Sequence, residues 1–150
     1  LEVRPGLREE LVVITAPKHP LTQQRNIDAR SLSEHPLVLF EPGSTTRMLV
    51  DKFFADQQLP MNVAMETESV EIIKAMVASG LGIALVPYVA IAGDMRTQRF
   101  GWARVRGQRL YREQGWVYLK SDYLPRPIVE VLRGFEEMKA EFGERPAVRS

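Results

Sequence analysis

The turn Gly43-Ser44-Thr45-Thr46 sets three hydroxyl side chains in succession where an apolar run gives way to a helical pattern. The first N–H groups of a helix have no intrahelical acceptor, and together with nearby hydroxyls they attract a carboxylate, sulfate or phosphate. The same residue types are ordinary helix caps, so the turn reads either as an anion site or as a plain cap. Arg47, in the first helical turn, can reach an anion or an acidic neighbour, or simply face solvent. Thr67, Glu68 and Ser69 stand at the equivalent point of the next unit, where Glu68 can accept from a ligand or cap its own helix. Pro87 and Tyr88 close the following apolar run and offer either a stacking surface or core packing. Two polar strand-end loops side by side form the wall of a crevice.

Catalytic arrangements fail on spacing. His19 and His35 each precede a proline, have no neighbours at metal-ligand spacing, and read as structural or solvent-exposed. Ser44 has no histidine placed to act as its base. Glu66 and Glu68 would share one face of a strand, but one of them belongs to the loop, which removes a paired acid and base. Gly80-Leu81-Gly82 precedes an apolar run instead of following one, unlike a phosphate-binding fingerprint. The sequence gives no grounds for an enzyme, a metal or a cofactor.

Composition narrows the partners. The chain has 150 residues and a formal net charge of +1, which speaks against a nucleic-acid-binding surface in this stretch. The absence of cysteine excludes disulfides and thiolate metal sites and is compatible with a cytoplasmic location. No apolar run approaches the roughly 20 residues of a membrane span. The opening LEVRPGLREE resembles neither a signal peptide nor an initiating sequence, so the chain is expected to be part of a longer or processed protein.

The elements that would position these residues follow from periodicity. Residues 1–10 read as a short strand or linker end, and Leu11 to Ala16 as the first sheet strand, closed by Pro17 and Pro20. A short helical turn at 31–34 is pinned by Leu32. Strands are predicted at Leu37–Phe40 and Asn62–Met65, separated by a helix over 45–57 that faces Met48, Leu49, Phe53 and either Val50 or Phe54 inward. Ser69 caps a second helix, whose apolar positions Val70, Ile73, Met76 and Val77 recur at three- and four-residue spacing, and Gly80 ends it. The run at 82–86 reads as a central strand of a parallel sheet, covered on both faces. In such open α/β sheets, ligands sit beyond the carboxyl ends of the strands. Further on, strands are predicted at 99–105 and 115–120 with a turn at Gly107. A last helix opened by Pro125 and Pro127 carries the apolar stripe Ile128, Val131, Leu132, Phe135, Met138 and Phe142.

Four segments resemble, in order, the effector-binding domain of LysR-type transcriptional regulators. They are EELVVITAPKHPL at 9–21, LSEHPLVLFEPGSTTR at 32–47, ETESVEIIKAMVASGLGIALVP at 66–87 and REQGWVYLK at 112–120. The resemblance implies an α/β, periplasmic-binding-protein-like fold with two subdomains. Residues 9–110 would be the Rossmann-like second subdomain, 1–8 the crossover out of the first, 111–143 the returning strand and C-terminal helix of the first, and 144–150 a flexible tail. It also implies a small-molecule effector, a carboxylate or inorganic anion, held in the cleft between subdomains. Phe40, Ser44, Thr45, Thr46, Glu68, Ser69 and Pro87 would form one wall of that cleft. DNA would be contacted only through an N-terminal helix-turn-helix outside this chain, with assembly as a homodimer or homotetramer and no role for a membrane. A periplasmic-type solute-binding protein would share the architecture, and the sequence preceding Leu1 would separate the two.

Overall fold

The computed structural model describes residues 1–121 and 123–142, the side chains of Pro5, Glu141 and Phe142 excepted. The described elements run β1 (Glu2–Thr15), β2 (Asn26–Ile27), α1 (Ala29–Ser33), β3 (Pro36–Phe40), α2 (Thr45–Asp56), β4 (Asn62–Thr67) and α3 (Val70–Ala78). They continue with β5 (Ala84–Pro87), β6 (Gly101–Val105), β7 (Leu110–Tyr118) and α4 (Arg126–Phe142). The chain forms two compact units, one of Glu9–Arg112 and one of Leu1–Arg8 with the described residues from Glu113 on. The expected tail at 144–150 lies outside the described residues.

In the larger unit the period-2 alternation of apolar strands decides what each helix covers. Leu11, Val13, Leu37, Leu39, Ile83 and Leu85 point to one face and pack with Val50, Phe53 and Phe54 of α2. Val12, Ile14, Val38, Ala84 and Val86 point to the other and pack with Ile73 and Val77 of α3. The strand order is β2-β6-β1-β5, and the β3-β4 pair joins at β5 through a parallel bridge between Leu37 and Ile83. Val38 N–H donates to Ile83 C=O at 2.9 Å, and Ile83 N–H to Pro36 C=O at 2.9 Å.

The strands of the α/β unit run parallel, as expected, β3 with β4 and through the bridge with β5, and the pairings of β1 make the whole sheet mixed. β1 runs antiparallel to both β5 and β6, with Leu11 opposite Pro87 and Val13 opposite Ala103. The apolar run at 82–86 is buried on both faces as a parallel strand would be, and burial alone does not encode the direction of its neighbour. Met48 departs from expectation. It is 62% exposed, because the buried positions of α2 are Thr46, Arg47, Val50, Phe53 and Phe54, a phase that turns residue 48 outward.

In the smaller unit Pro5-Gly6 does not end β1, contrary to the reading of a short strand or linker. A Cβ at Gly6 would lie 2.6 Å from Gln114 O, and one at Gly115 would lie 2.7 Å from Arg4 O. Two facing glycines let β1 and β7 approach closely, so the pair extends through the Pro-Gly. Trp116 packs edge-on against Phe135 of α4, with ring centroids 5.1 Å apart. Val117 and Leu119, on the other face of β7 and just beyond it, are exposed, as are Ile128, Val131 and Met138 of the α4 stripe.

Candidate functional site

The parallel register of β3 and β4, with Phe40 opposite Thr67, and the parallel bridge into β5 bring three strand ends together. Beyond them lies a hollow with a cavity volume of about 210 Å³, lined by Phe40, Glu68, Val70, Pro87, Val89, Ala90 and Arg112. Its wall is largely apolar, with one carboxylate and one guanidinium at the rim. Phe40, Glu68 and Pro87 of the expected set line it. Ser44, Thr45, Thr46 and Ser69 do not line it.

Those four residues have local tasks. Ser44 is the N-cap of α2, its hydroxyl accepting from Arg47 N–H at 3.1 Å. Ser69 is the N-cap of α3, accepting from Ile72 N–H at 3.4 Å, while its own N–H donates to the Thr67 hydroxyl at 3.3 Å. Thr45 is exposed. Thr46 is buried and reaches the rim indirectly, because Arg112 Nη1 donates to its Oγ1 at 3.0 Å.

Arg112 is the residue that sequence reasoning missed. It belongs to β7, the side chain is 23% exposed, and its Nε–H donates to Glu9 Oε2 in an ion pair. Glu9 lies on β1 and is itself buried. The two are far apart in sequence and meet only because β7 pairs with β1. No local pattern marks either one.

Of the three roles open to Arg47, anion partner, neighbour's partner or solvated residue, it takes the second. The residue is buried, with Nε donating to Asp51 at 2.7 Å and Nη1 to Glu66 at 2.6 Å and to the Phe40 carbonyl at 2.8 Å. Burial works against its charge. The bonds to Asp51 and Glu66 outweigh that and raise the pKa above the usual arginine value. Arg47 therefore holds the wall that Phe40 contributes and does not face the hollow. Glu66, its partner, is engaged in this ion pair.

Lys74 is buried on α3 and ties that helix to the loop after β5, donating to Asp94 at 2.5 Å and to Glu71 at 2.9 Å. The two histidines meet, with ring centroids 5.2 Å apart. His19 Nδ1 accepts from Leu21 N–H and His35 Nδ1–H donates to Ser31 C=O, both structural tasks. Burial, and secondarily His35, lowers the His19 pKa. Among the described residues no group of three or more His, Asp or Glu is placed to hold a metal, and no helix is long and apolar enough to cross a membrane.

Residues 1–138 match the family model of the LysR substrate binding domain. The HTH-type transcriptional activator CmpR of Synechocystis is 36% identical over 124 residues, which cover 83% of this chain and 41% of CmpR. A RuBisCO operon transcriptional regulator of Acidithiobacillus ferrooxidans is 37% identical over 108 residues, 72% of this chain and 35% of the relative. The chain thus spans about two fifths of the length of these curated relatives. Among solved structures, the Synechocystis CcmR regulatory domain in complex with 2-PG superposes with a TM-score of 0.79 at 22% identity, over 97% of this chain and 68% of that one.

Proposed function

The chain belongs to the LysR substrate binding domain family, and on that premise we propose that it is the ligand-sensing part of a DNA-binding transcriptional regulator. The observation that carries the reading is the hollow at the joined strand ends, where an apolar wall of Phe40, Val70 and Pro87 meets Glu68 and Arg112. Its placement beyond the carboxyl ends of strands is where open α/β folds take small ligands. CcmR, a neighbour in fold solved with 2-PG, supports a small molecule as the occupant.

The effector is an anion, a carboxylate or an inorganic acid. Its acidic group is held by hydrogen bonds from Arg112, which the Thr46 hydroxyl at the start of α2 helps to position. Ser44 and Ser69 hold the two helix starts in place, and Phe40 and Pro87 are the apolar wall. Residues 9–110 act as the second subdomain of a two-part effector module, to which 1–8 and 111–143 contribute pieces of the first. Ligand binding shifts a pre-existing equilibrium between module conformations, and the change is read by a helix-turn-helix outside this chain, in a cytoplasmic homo-oligomer.

A melting-temperature screen of carboxylates and inorganic anions tests this on the full-length protein, with wild type and Arg112→Gln run in parallel. A ligand that raises the wild-type midpoint is expected to lose most of its shift in the variant. An undiminished shift refutes the anion site.

A further inference from the structure

We propose that Glu9 is a specificity-determining residue: as the built-in counter-ion of Arg112 it keeps bare inorganic anions out of the hollow, so that the effector is an organic anion. The inference rests on the reading of the hollow as the effector site.

Arg112 is the cationic side chain in the lining, and its charge is already matched. Glu9 is 8% exposed and takes the guanidinium Nε–H, while Thr46 Oγ1 takes one hydrogen of Nη1. These two bonds use two of the five N–H donors of a guanidinium, so a ligand can still engage the fork, but it meets a neutral pair and not a free cation. Glu68 adds a further carboxylate to the rim. A small anion arriving there is attracted by one charge and repelled by two.

The rest of the lining favours a ligand with more than charge. Phe40, Val70, Pro87 and Val89 present apolar surface that sulfate or phosphate would leave unfilled. An organic acid covers that surface, gaining free energy in proportion to the apolar area removed from water. A hydroxyl on such a ligand can donate to Glu68, which accepts but cannot donate when ionised. Affinity then comes from shape and hydrogen bonding, and the Glu9 carboxylate cancels the part that any multivalent anion would share.

Removing a unit charge beside a partly buried site changes affinity on the order of tenfold per unit of ligand charge, because the interaction energy scales with the product of the charges. Glu9→Gln is therefore expected to tighten acetate binding about tenfold and sulfate binding about a hundredfold, by the same scaling. The experiment is calorimetric titration of the full-length protein with sodium acetate and sodium sulfate at constant ionic strength. It compares wild type, Glu9→Gln and Glu9→Gln/Arg112→Gln, with Glu9→Ala as a second charge-removing variant should the amide disturb folding. Expected are weak sulfate binding by wild type, a sulfate gain exceeding the acetate gain in either single variant, and loss of both gains in the double variant. Equal gains for the two anions, or none, overturn the proposal. If an organic ligand from the melting screen still depends on Arg112, the effector site stands and only the role of Glu9 falls. Sulfate binding to the Glu9 variant that persists without Arg112 places the anion elsewhere and overturns both.

Discussion

Replacing Arg47 with methionine removes the guanidinium that braces the wall of the hollow while keeping most of the stem that packs beneath it. The side chain is 9% exposed and spans α2, β4 and the end of β3 through Asp51, Glu66 and the Phe40 carbonyl. Asp51 and Glu66 are 43% and 39% exposed, so water replaces the lost partner, and each ion pair costs less than about 1 kcal/mol. The bond to Phe40 C=O has a charged donor and is worth roughly 1.5–3 kcal/mol. Together the loss is roughly 1.5–5 kcal/mol, the scale of a disrupted buried network. Urea unfolding followed by fluorescence reads it cleanly. Trp102 lies in the larger unit and Trp116 in the smaller, so a Trp116→Phe background leaves a single tryptophan, in the larger unit. Glu66→Gln should destabilise that background by a measurable fraction of a kcal/mol, and add nothing once Arg47 is gone, since residues in one network are not additive. A loss below about 0.5 kcal/mol for Arg47→Met, the scale of an ordinary surface substitution, refutes the brace. So does an equal Glu66→Gln effect in both backgrounds.

Two further substitutions probe how the loops around the site are held. The hydrogen bond from Lys74 is the chief cause that holds the Asp94 carboxyl below the usual aspartate range; burial opposes it, and the charges of Lys74 and Arg99 add to it. A depressed carboxylate stabilises the fold above its ordinary pKa, and that contribution is lost as pH falls through the lowered value. Wild-type urea midpoints should therefore drop on acidification from the ordinary aspartate range downward, and Lys74→Met should flatten that slope; an unchanged slope removes the ion pair as its cause. Gly82→Ala would set a Cβ 2.4 Å from Pro36 O, the atom that accepts Ile83 N–H where β5 joins β3. The strand junction must shift, costing about 1–3 kcal/mol by analogy with overpacked cores, and a thermal midpoint equal to wild type would show that the junction yields freely.

Local chemistry was legible in the sequence wherever a short-range rule decides the outcome. Ser44 and Ser69 cap the helices they precede, Leu32 pins its short helix, and the alternating runs at 11–15, 37–39 and 83–86 bury both faces. What escaped depends on pairings between distant segments. The direction of β1 against β5 is a matter of long-range strand pairing, and an apolar run buried on both faces carries no trace of it. The continuity of β1 through Pro5-Gly6 became visible only with Gly115 facing it across the ladder. Met48 was misplaced because Arg47, a charged residue, occupies the buried phase of α2, and apolar periodicity counts it as exposed. Lys74 on α3 repeats the same lesson.

The candidate site divides along that line. Hydroxyls at the starts of two helices are the kind of feature a sequence announces, and in the folded chain Ser44 and Ser69 serve as caps, each accepting a hydrogen bond from its own first turn. Charge reaches the rim from far away in sequence. Glu9 arrives on β1 and Arg112 on β7, at the two positions where the chain enters and leaves the larger unit. Thr46 joins these two parts, since its buried hydroxyl accepts from Arg112 while its backbone belongs to the first turn of α2. A ligand that draws on Arg112 therefore acts on the ion pair at the junction of β1 and β7 and on the start of α2 together, through one guanidinium.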